Sequence, residues 1–372
     1  MPVFSEVLIV GGGIIGLALA RALKIKGFKK ITIVDKSNFG QEASYAAAGM
    51  LSPQVEADRD DSFFRFCLQA NRIYPSFVKE LEEETGIDVE FNAQGTFLLA
   101  FCEEESLKLM NRYKWQKEAG LNVEYLEAGE IRRLEPFVSP SVFSGLFFSD
   151  DGQVENRKLV VALQKYARLK QIEMVKDTQI VGLETENETV LAITDKGGSF
   201  LAEVVILAAG AFTSQLIIDG IQQVPSVKPI RGQMIAFQAP KQAFKHVIYT
   251  ERGYLVPRKS GRILVGATIE DVGFDKSVTE RGIQFLLNVS RQISPSLSSL
   301  KIAEKWAGLR PMAEDGLPII GELPYCKNVF VATAHYRNGI LLAPLTAEIL
   351  AARIAENAES VYLKEFSPAR FV

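Results

Sequence analysis

The chain of 372 residues has little of what most often does chemistry or holds metals. It carries two histidines, His246 and His335, which argues against a histidine-rich metal centre and against a histidine-based nucleophilic triad. Its three cysteines, Cys67, Cys102 and Cys326, are widely spaced and form no C-x-x-C pair, so they read as reduced thiols rather than as a disulfide framework or zinc site. No uninterrupted apolar run reaches the roughly 18 residues of a membrane span. The one C-terminal candidate is broken by Pro344, Glu348 and Arg353. A net charge of −3 leaves no basic footprint for nucleic acid. Residues 1–6 hold no Lys or Arg, so no targeting segment is expected there and the expected location is cytoplasmic. Neither an internal repeat nor a low-complexity segment appears. What remains is a globular composition, 47% hydrophobic and 23% charged, with a small molecule as the expected partner. The length exceeds one ordinary core, which predicts two domains.

What the chain does have stands near its start. Val7-Leu-Ile-Val10 reads as a buried parallel strand, Gly11, Gly13 and Gly16 follow at the G-x-G-x-x-G spacing, and an Ala/Leu-rich helical pattern opens after them. The first glycine permits a tight turn, the second lets backbone amides at Gly13, Ile14 and Ile15 approach a pyrophosphate, and the third lets helix pack on strand. A second strand, Ile31-Thr-Ile-Val34, ends in Asp35, 19 residues after Gly16, where a carboxylate suits a ribose. This is a dinucleotide site, with NAD and FAD both open at this point.

Residues 38–50 then run through small side chains, Ser44, Ala46, Ala47, Ala48 and Gly49 before Met50, which suit the close approach of a bulky planar group or simple close packing. Further on, residues 61–85 read as one or two amphipathic helices. Residues 88–101 have the look of an antiparallel strand pair, and helices are expected over 103–119 and 127–135. A helix over 158–169 and strands near 172–175 and 179–184 return to the first domain, with a hairpin over 186–200. Val204-Val-Ile-Leu-Ala-Ala-Gly210 is a buried strand whose Gly210 closes a nucleotide site or is an ordinary strand end. From residue 227 the pattern is antiparallel β, followed by a helix over 280–293 and a last helix over 340–354.

Four blocks carry a resemblance: the glycine fingerprint, Ala46-Ala-Ala-Gly-Met50, Tyr254-Leu-Val-Pro-Arg-Lys-Ser-Gly-Arg262, and Trp306-Ala-Gly-Leu-Arg310-Pro with His335-Tyr-Arg-Asn-Gly-Ile340. Together and in this order they resemble the FAD-dependent amine oxidases related to D-amino acid oxidase, and within them the glycine oxidases of the thiamine pathway. The resemblance implies an α/β fold, a Rossmann-like FAD-binding domain of the glutathione-reductase/D-amino acid oxidase type with an inserted antiparallel-sheet substrate domain. It implies a discontinuous FAD domain over 1–85, 145–220 and 300–372, and a substrate domain over 86–144 and 221–299. It also implies a small amino acid and O2 as reactants, hydrogen peroxide as a product, and a homo-oligomer, with a homotetramer expected. A quinone-linked D-amino acid dehydrogenase and a non-catalytic flavin-binding protein are the alternatives.

A flavin enzyme that takes hydride from Cα needs its protein to hold the substrate carboxylate and orient Cα; no nucleophile is required. The resemblance places Arg310 and Tyr254 at that task. Their competing uses are a surface ion pair for Arg310 and a core strand aromatic for Tyr254. Ile180 matches a position that holds the adenine. Arg337, Asn338, Gly339 and Ile340 open the last helix, whose partly positive N-terminus can face the flavin edge where negative charge collects on reduction. A structural ion pair is the other use of Arg337, and His335 reads as a structural hydrogen-bonding residue. No cysteine lies in residues 306–311, the segment through which some relatives attach FAD, so noncovalent FAD is expected. Two positions depart from the family: Arg252 stands in place of a histidine and Ile269 in place of a methionine, both candidates, with Met50, for the mouth of the substrate site. Glu251 offers the opposite outcome for Arg252, an outward-facing hairpin tip.

Overall fold

In a computed structural model, residues 2–186, 188–219 and 224–372 are described. The expected domain junction at 220/221 lies outside them. Two large sheets organise the chain. The first is built on Val3–Val10, which pairs in parallel with Ile31–Val34 on one side and Ser199–Leu207 on the other. Glu173–Val175 extends it beyond Ile31–Val34, and Val329–Thr333 pairs in parallel with the end of Ser199–Leu207. A strand buried on both faces needs apolar residues at every position, and Val7–Val10, the buried half of the first strand, has them. Val7 and Ile9 pack with the helices Ile14–Ile25, Asn156–Leu169 and Gly339–Glu356, whereas Leu8 and Val10 pack on the opposite face with Leu183, Val205 and Val331.

The second sheet runs in the order Glu270–Asp271, Val227–Gln238, Arg262–Gly266, Tyr254–Pro257, Val247–Tyr249, Thr96–Ala100, Ser144–Phe148, Glu124–Glu127. Its two faces also separate by alternation. Ile235, Phe237, Leu255 and Val265 turn towards Leu286, Val289 and Ile293 of the helix Glu280–Ile293. Met234, Tyr254 and Val256 turn to the other side, towards Ala48, Val55 and Trp306. That second face is where the two halves of the molecule meet.

One local expectation left open is decided and two others differ from what forms. Residues 61–85 are one helix, Ser62–Thr85, which continues through Pro75 and ends on Gly86 in the left-handed conformation. Residues 88–101 do not form a strand pair: Asn92 makes an isolated bridge to Gln153, and only Thr96–Ala100 is a strand, with partners at Ser144–Phe148 and Val247–Tyr249. Ile302–Ala313, assigned above to the FAD domain, is hydrogen-bonded along its length to Val227–Gln238 and so belongs to the second sheet. Among the described residues no helix is long and apolar enough to cross a membrane.

Candidate active site

The nucleotide groove is made mainly of backbone. Gly11 leaves its strand at φ +110°, and a Cβ there would lie 2.4 Å from the Ala208 carbonyl oxygen. A Cβ on Gly16 would lie 1.9 Å from the Gly11 carbonyl oxygen, so this glycine sits beneath the turn rather than in the groove wall. The first amides of a helix have no partner within it. Here the Ile14 amide donates to Ser44 Oγ at 2.9 Å, which fixes the small-residue loop against the helix start. Asp35 accepts the Gly12 amide at 2.7 Å and the Ser37 amide at 2.8 Å. Burial pushes its carboxyl above the usual range, against the pull of those hydrogen bonds. A cavity of about 180 Å³ lies along Gly11, Gly13, Ile14 and Ile15, with Asp35, Ile180 and Gly210 in its walls.

A second cavity, of about 90 Å³, continues from it, since Ile14, Ala43 and Ser44 line both. Its floor is the loop Ala46, Ala47, Ala48, Gly49, Met50. That loop is held from behind by side chains that take its carbonyl groups. Asn156 Nδ2 donates to Ser44 O at 2.7 Å, Trp306 Nε1 to Ala46 O at 3.1 Å and Arg258 Nη2 to Ala48 O at 2.7 Å. The strand opposite is equally close, because a Cβ on Gly308 would lie 2.3 Å from Ala46 Cβ. With its carbonyls occupied, the loop offers the cavity a flat, mostly methyl surface.

Arg310 lies opposite Ile230 in the second sheet, and its guanidinium covers Gly232, where a Cβ would fall 2.3 Å from both terminal nitrogens. Its Nη1 donates to Thr268 O at 3.1 Å. No carboxylate among the described residues comes within ion-pair distance of it. Tyr254, opposite Gly266, is buried beside it, with the hydroxyl 3.9 Å from Met234 Sδ. Burial raises the Tyr254 phenol pKa, with Arg310 and Arg337 pulling it down, so the hydroxyl stays a donor at neutral pH.

The remaining wall comes from the C-terminal block. Ala334 and Tyr336 adopt φ +58° and +47°, left-handed values that cost a non-glycine residue free energy, on either side of His335. The Tyr336 amide is tied to Pro311 O at 3.0 Å, one residue past Arg310. His335 is turned inward to Thr346 Oγ1 at 3.1 Å, and burial lowers its imidazole to about 3. It is neutral and lines neither cavity. Asn338 also stays out of the wall; its carbonyl accepts the Leu342 amide at 2.8 Å. Gly339 and Ile340, the first residues of Gly339–Glu356, do line the inner cavity. Arg337 pairs with Glu56 at 2.7 Å, and the same carboxylate accepts the Tyr249 hydroxyl at 3.0 Å.

Two of the candidates for the mouth are elsewhere. Arg252 is exposed in a turn where its amide donates to Thr250 Oγ1 at 3.2 Å, while Glu251 pairs with Lys108 at 3.0 Å. Ile269 is 59% exposed, and neither residue lines the two cavities. Met50 does line the inner one. Sequence reasoning missed Glu56, Tyr249, Gly232 and Tyr336. Only Gly232 had a signal, a small residue across the sheet from Gly308.

The continuous path from Asp35, past a helix N-terminus, to a methyl-lined floor fits an extended dinucleotide with a flat ring system. A family model described as FAD dependent oxidoreductase matches residues 6–353. The chain belongs to this family. Members of this FAD-dependent family that resemble it include the glycine oxidase of Geobacillus kaustophilus, 34% identical over 99% of this chain and 97% of that protein. The bifunctional protein ThiO/ThiG of Synechocystis sp. is 35% identical over the whole chain, which spans 55% of that longer protein. The crystal structure of the Geobacillus kaustophilus enzyme superposes with a TM-score of 0.93 at 33% identity, covering 99% of both chains. The fold expected from the sequence is therefore the fold that forms, and FAD is the cofactor of the family.

Proposed function

We propose that this protein oxidatively deaminates glycine and other small amines or D-amino acids, with O2 as the electron acceptor. The observation that carries the reading is Arg310, a cation with no carboxylate partner among the described residues, facing a small cavity next to the small-residue loop. The names of its relatives at about 34% identity, glycine oxidase and ThiO/ThiG, support the same activity and a role in thiamine biosynthesis.

FAD, when bound, supplies the acceptor for the hydride that leaves Cα. The chain's own residues do the rest. Arg310 makes two charge-assisted hydrogen bonds to the substrate carboxylate, and Tyr254 adds a third from its neutral hydroxyl. The loop at Ala46–Met50 and Gly232 keep the chamber shallow and apolar, which favours a neutral amine and excludes water. The N-terminus of Gly339–Glu356 adds partial positive charge at one wall. Asp35 serves the ribose, Ile180 the adenine, and Gly11, Gly13, Ile14, Ile15, Ser44 and Gly210 shape the groove. The balance is one glycine, one O2 and one water to glyoxylate, ammonia and hydrogen peroxide, through an imine that water hydrolyses, or that a thiazole-forming step takes up first.

Cys326 is buried in the core of the first sheet and lines neither cavity, which supports noncovalent FAD. The domain division that goes with this reading keeps residues 302–313 in the substrate domain. A cytoplasmic homo-oligomer is part of the same proposal. Purified holoprotein given glycine under air should form peroxide. Reduction by glycine with turnover only when a quinone is added would replace the oxidase reading by a dehydrogenase one.

A further inference from the structure

We propose that Glu56 is the residue that restricts the substrate to a single carboxylate, by holding Arg337 in an ion pair at the junction between the inner chamber and an outer cleft. An outer cleft of about 710 Å³ lies beyond the inner cavity, walled by Val55–Asp58, the face of Glu103–Glu118 and the turn after Val247–Tyr249. Two residues line both spaces, Glu56 and Arg337. Their side chains are 19% and 31% exposed, as befits a partition rather than a core pair. The Tyr249 hydroxyl, donating to the same Glu56 oxygen that Arg337 contacts, fixes the carboxylate on one side.

The cations along this route are matched with one exception among the described residues. Arg112 pairs with Asp58, Lys108 with Glu251 and Arg337 with Glu56, each a cation of the outer cleft or the partition. Arg310 alone among the cations lining the two spaces has no carboxylate within ion-pair distance among the described residues. A substrate with one carboxylate satisfies Arg310. A second carboxylate, projecting from Cα or from the amine, reaches the partition and must displace Glu56 from Arg337 or stand beside it, a like-charge contact in a partly dry site. Arg337 is thus a latent second anion site that Glu56 keeps closed.

This inference rests on the reading of Arg310 as the carboxylate clamp, and its test separates the two. In FAD-loaded protein, kcat/KM is measured for glycine and for the dicarboxylic amines iminodiacetate and D-aspartate. Glu56→Gln keeps the shape and the acceptor for Tyr249 while removing the charge. It should raise the dicarboxylate-to-glycine ratio tenfold or more, through KM rather than kcat. Arg337→Gln should move the ratio the other way, at least threefold down, because an unpaired Glu56 then faces the second carboxylate. The double variant should return to within threefold of wild type. A ratio unchanged within twofold in Glu56→Gln, or raised in Arg337→Gln, overturns the proposal. Dissociation constants for glycolate and malonate, read from the flavin spectrum, follow the same pattern without turnover. If no amine is oxidised but malonate tightens relative to glycolate in Glu56→Gln, the function reading fails and the gate stands.

Discussion

The nucleotide groove and the substrate chamber touch at Ile14, Ala43 and Ser44 but are made in different ways. The groove is largely backbone: a glycine turn and a helix N-terminus, with one acid, lie within residues 11–35, and Ile180 and Gly210 close it. The chamber is made mainly of side chains brought together from distant stretches, among them those near residues 50, 233, 254, 310 and 337. Backbone sites are specified by residues that are small, whereas side-chain sites depend on the groups that hold the functional ones in place. The first kind tolerates only glycine at certain positions. The second fails when a supporting residue behind the wall is lost.

The largest effect expected from that difference lies behind the chamber. Arg258 is buried; it donates to Ala48 O and to Gln153 Oε1, and its Nε lies 3.0 Å from Glu155 Oε2. Replacing it by Met leaves Glu155 unpaired in a buried setting and frees the loop floor, a loss of about 3–5 kcal/mol for a broken buried pair. Thermal unfolding should show that loss, and flavin content should fall with it. A variant that keeps both would show that the loop is held by the groove instead.

Next comes the functional side chain itself. Arg310→Ala removes two charge-assisted hydrogen bonds, together about 3 kcal/mol or more, which corresponds to a KM for glycine raised at least a hundredfold. FAD affinity should change far less, because Arg310 does not line the groove at Gly11–Ile15 and Asp35. Steady-state kinetics beside a flavin titration decides it. Equal losses in both measurements would erase the distinction between the two regions.

His335, packed behind the C-terminal wall of the chamber, tests that support through pH. Its folded pKa of about 3 lies below the ordinary 6.5, so the unfolded chain binds the extra proton between those values. The neutral ring therefore favours folding above pH 6.5, and this contribution is lost as pH falls towards 3. Between pH 7 and pH 4.5 the loss is roughly 2–3 kcal/mol by linkage. His335→Gln should be less stable at pH 7, where it forgoes the bond to Thr346, yet lose less on acidification. Urea melts at the two pH values measure this; parallel losses in both proteins would mean that the imidazole is not held neutral.

How much of each region was legible follows from range in sequence. The half of the groove that carries its pattern lies within residues 11–35, so Gly11, Gly13, Gly16 and Asp35 announced it directly, while Ile180 and Gly210 close it from far along the chain. Arg310 and Tyr254 became visible through the resemblance, since nothing in their immediate neighbours says that both face one cavity. Glu56 was invisible, because its partner Arg337 is 281 positions away and neither residue sits in a pattern that implies the other. The same reason explains the strand pair expected over residues 88–101. Local alternation suggested a hairpin, while Thr96–Ala100 finds its parallel partner at Val247–Tyr249. Ile302–Ala313 follows this rule too, its place in the second sheet being set by pairing with a strand some 75 residues earlier.

The smallest effect belongs to Arg252, and its smallness is informative. Its charge and its position two residues before Tyr254 made it a candidate for choosing substrates, yet the Thr250–Gly253 turn holds it outward. Thr250 Oγ1 accepts the amides of both Arg252 and Gly253 at 3.2 Å, and Glu251 is engaged with Lys108 across the outer cleft. An exposed cation outside the cavity wall is screened by solvent and salt, over about 8 Å at physiological ionic strength, and so acts on the chamber weakly. Arg252→Gln should leave the ratio of kcat/KM for iminodiacetate and glycine within twofold of wild type, at low salt as well as at 0.5 M or so. A ratio that shifts at low salt and recovers at high salt would put Arg252 within electrostatic reach of the chamber. It would then share with Arg337 the selection that the partition at Glu56 otherwise makes alone.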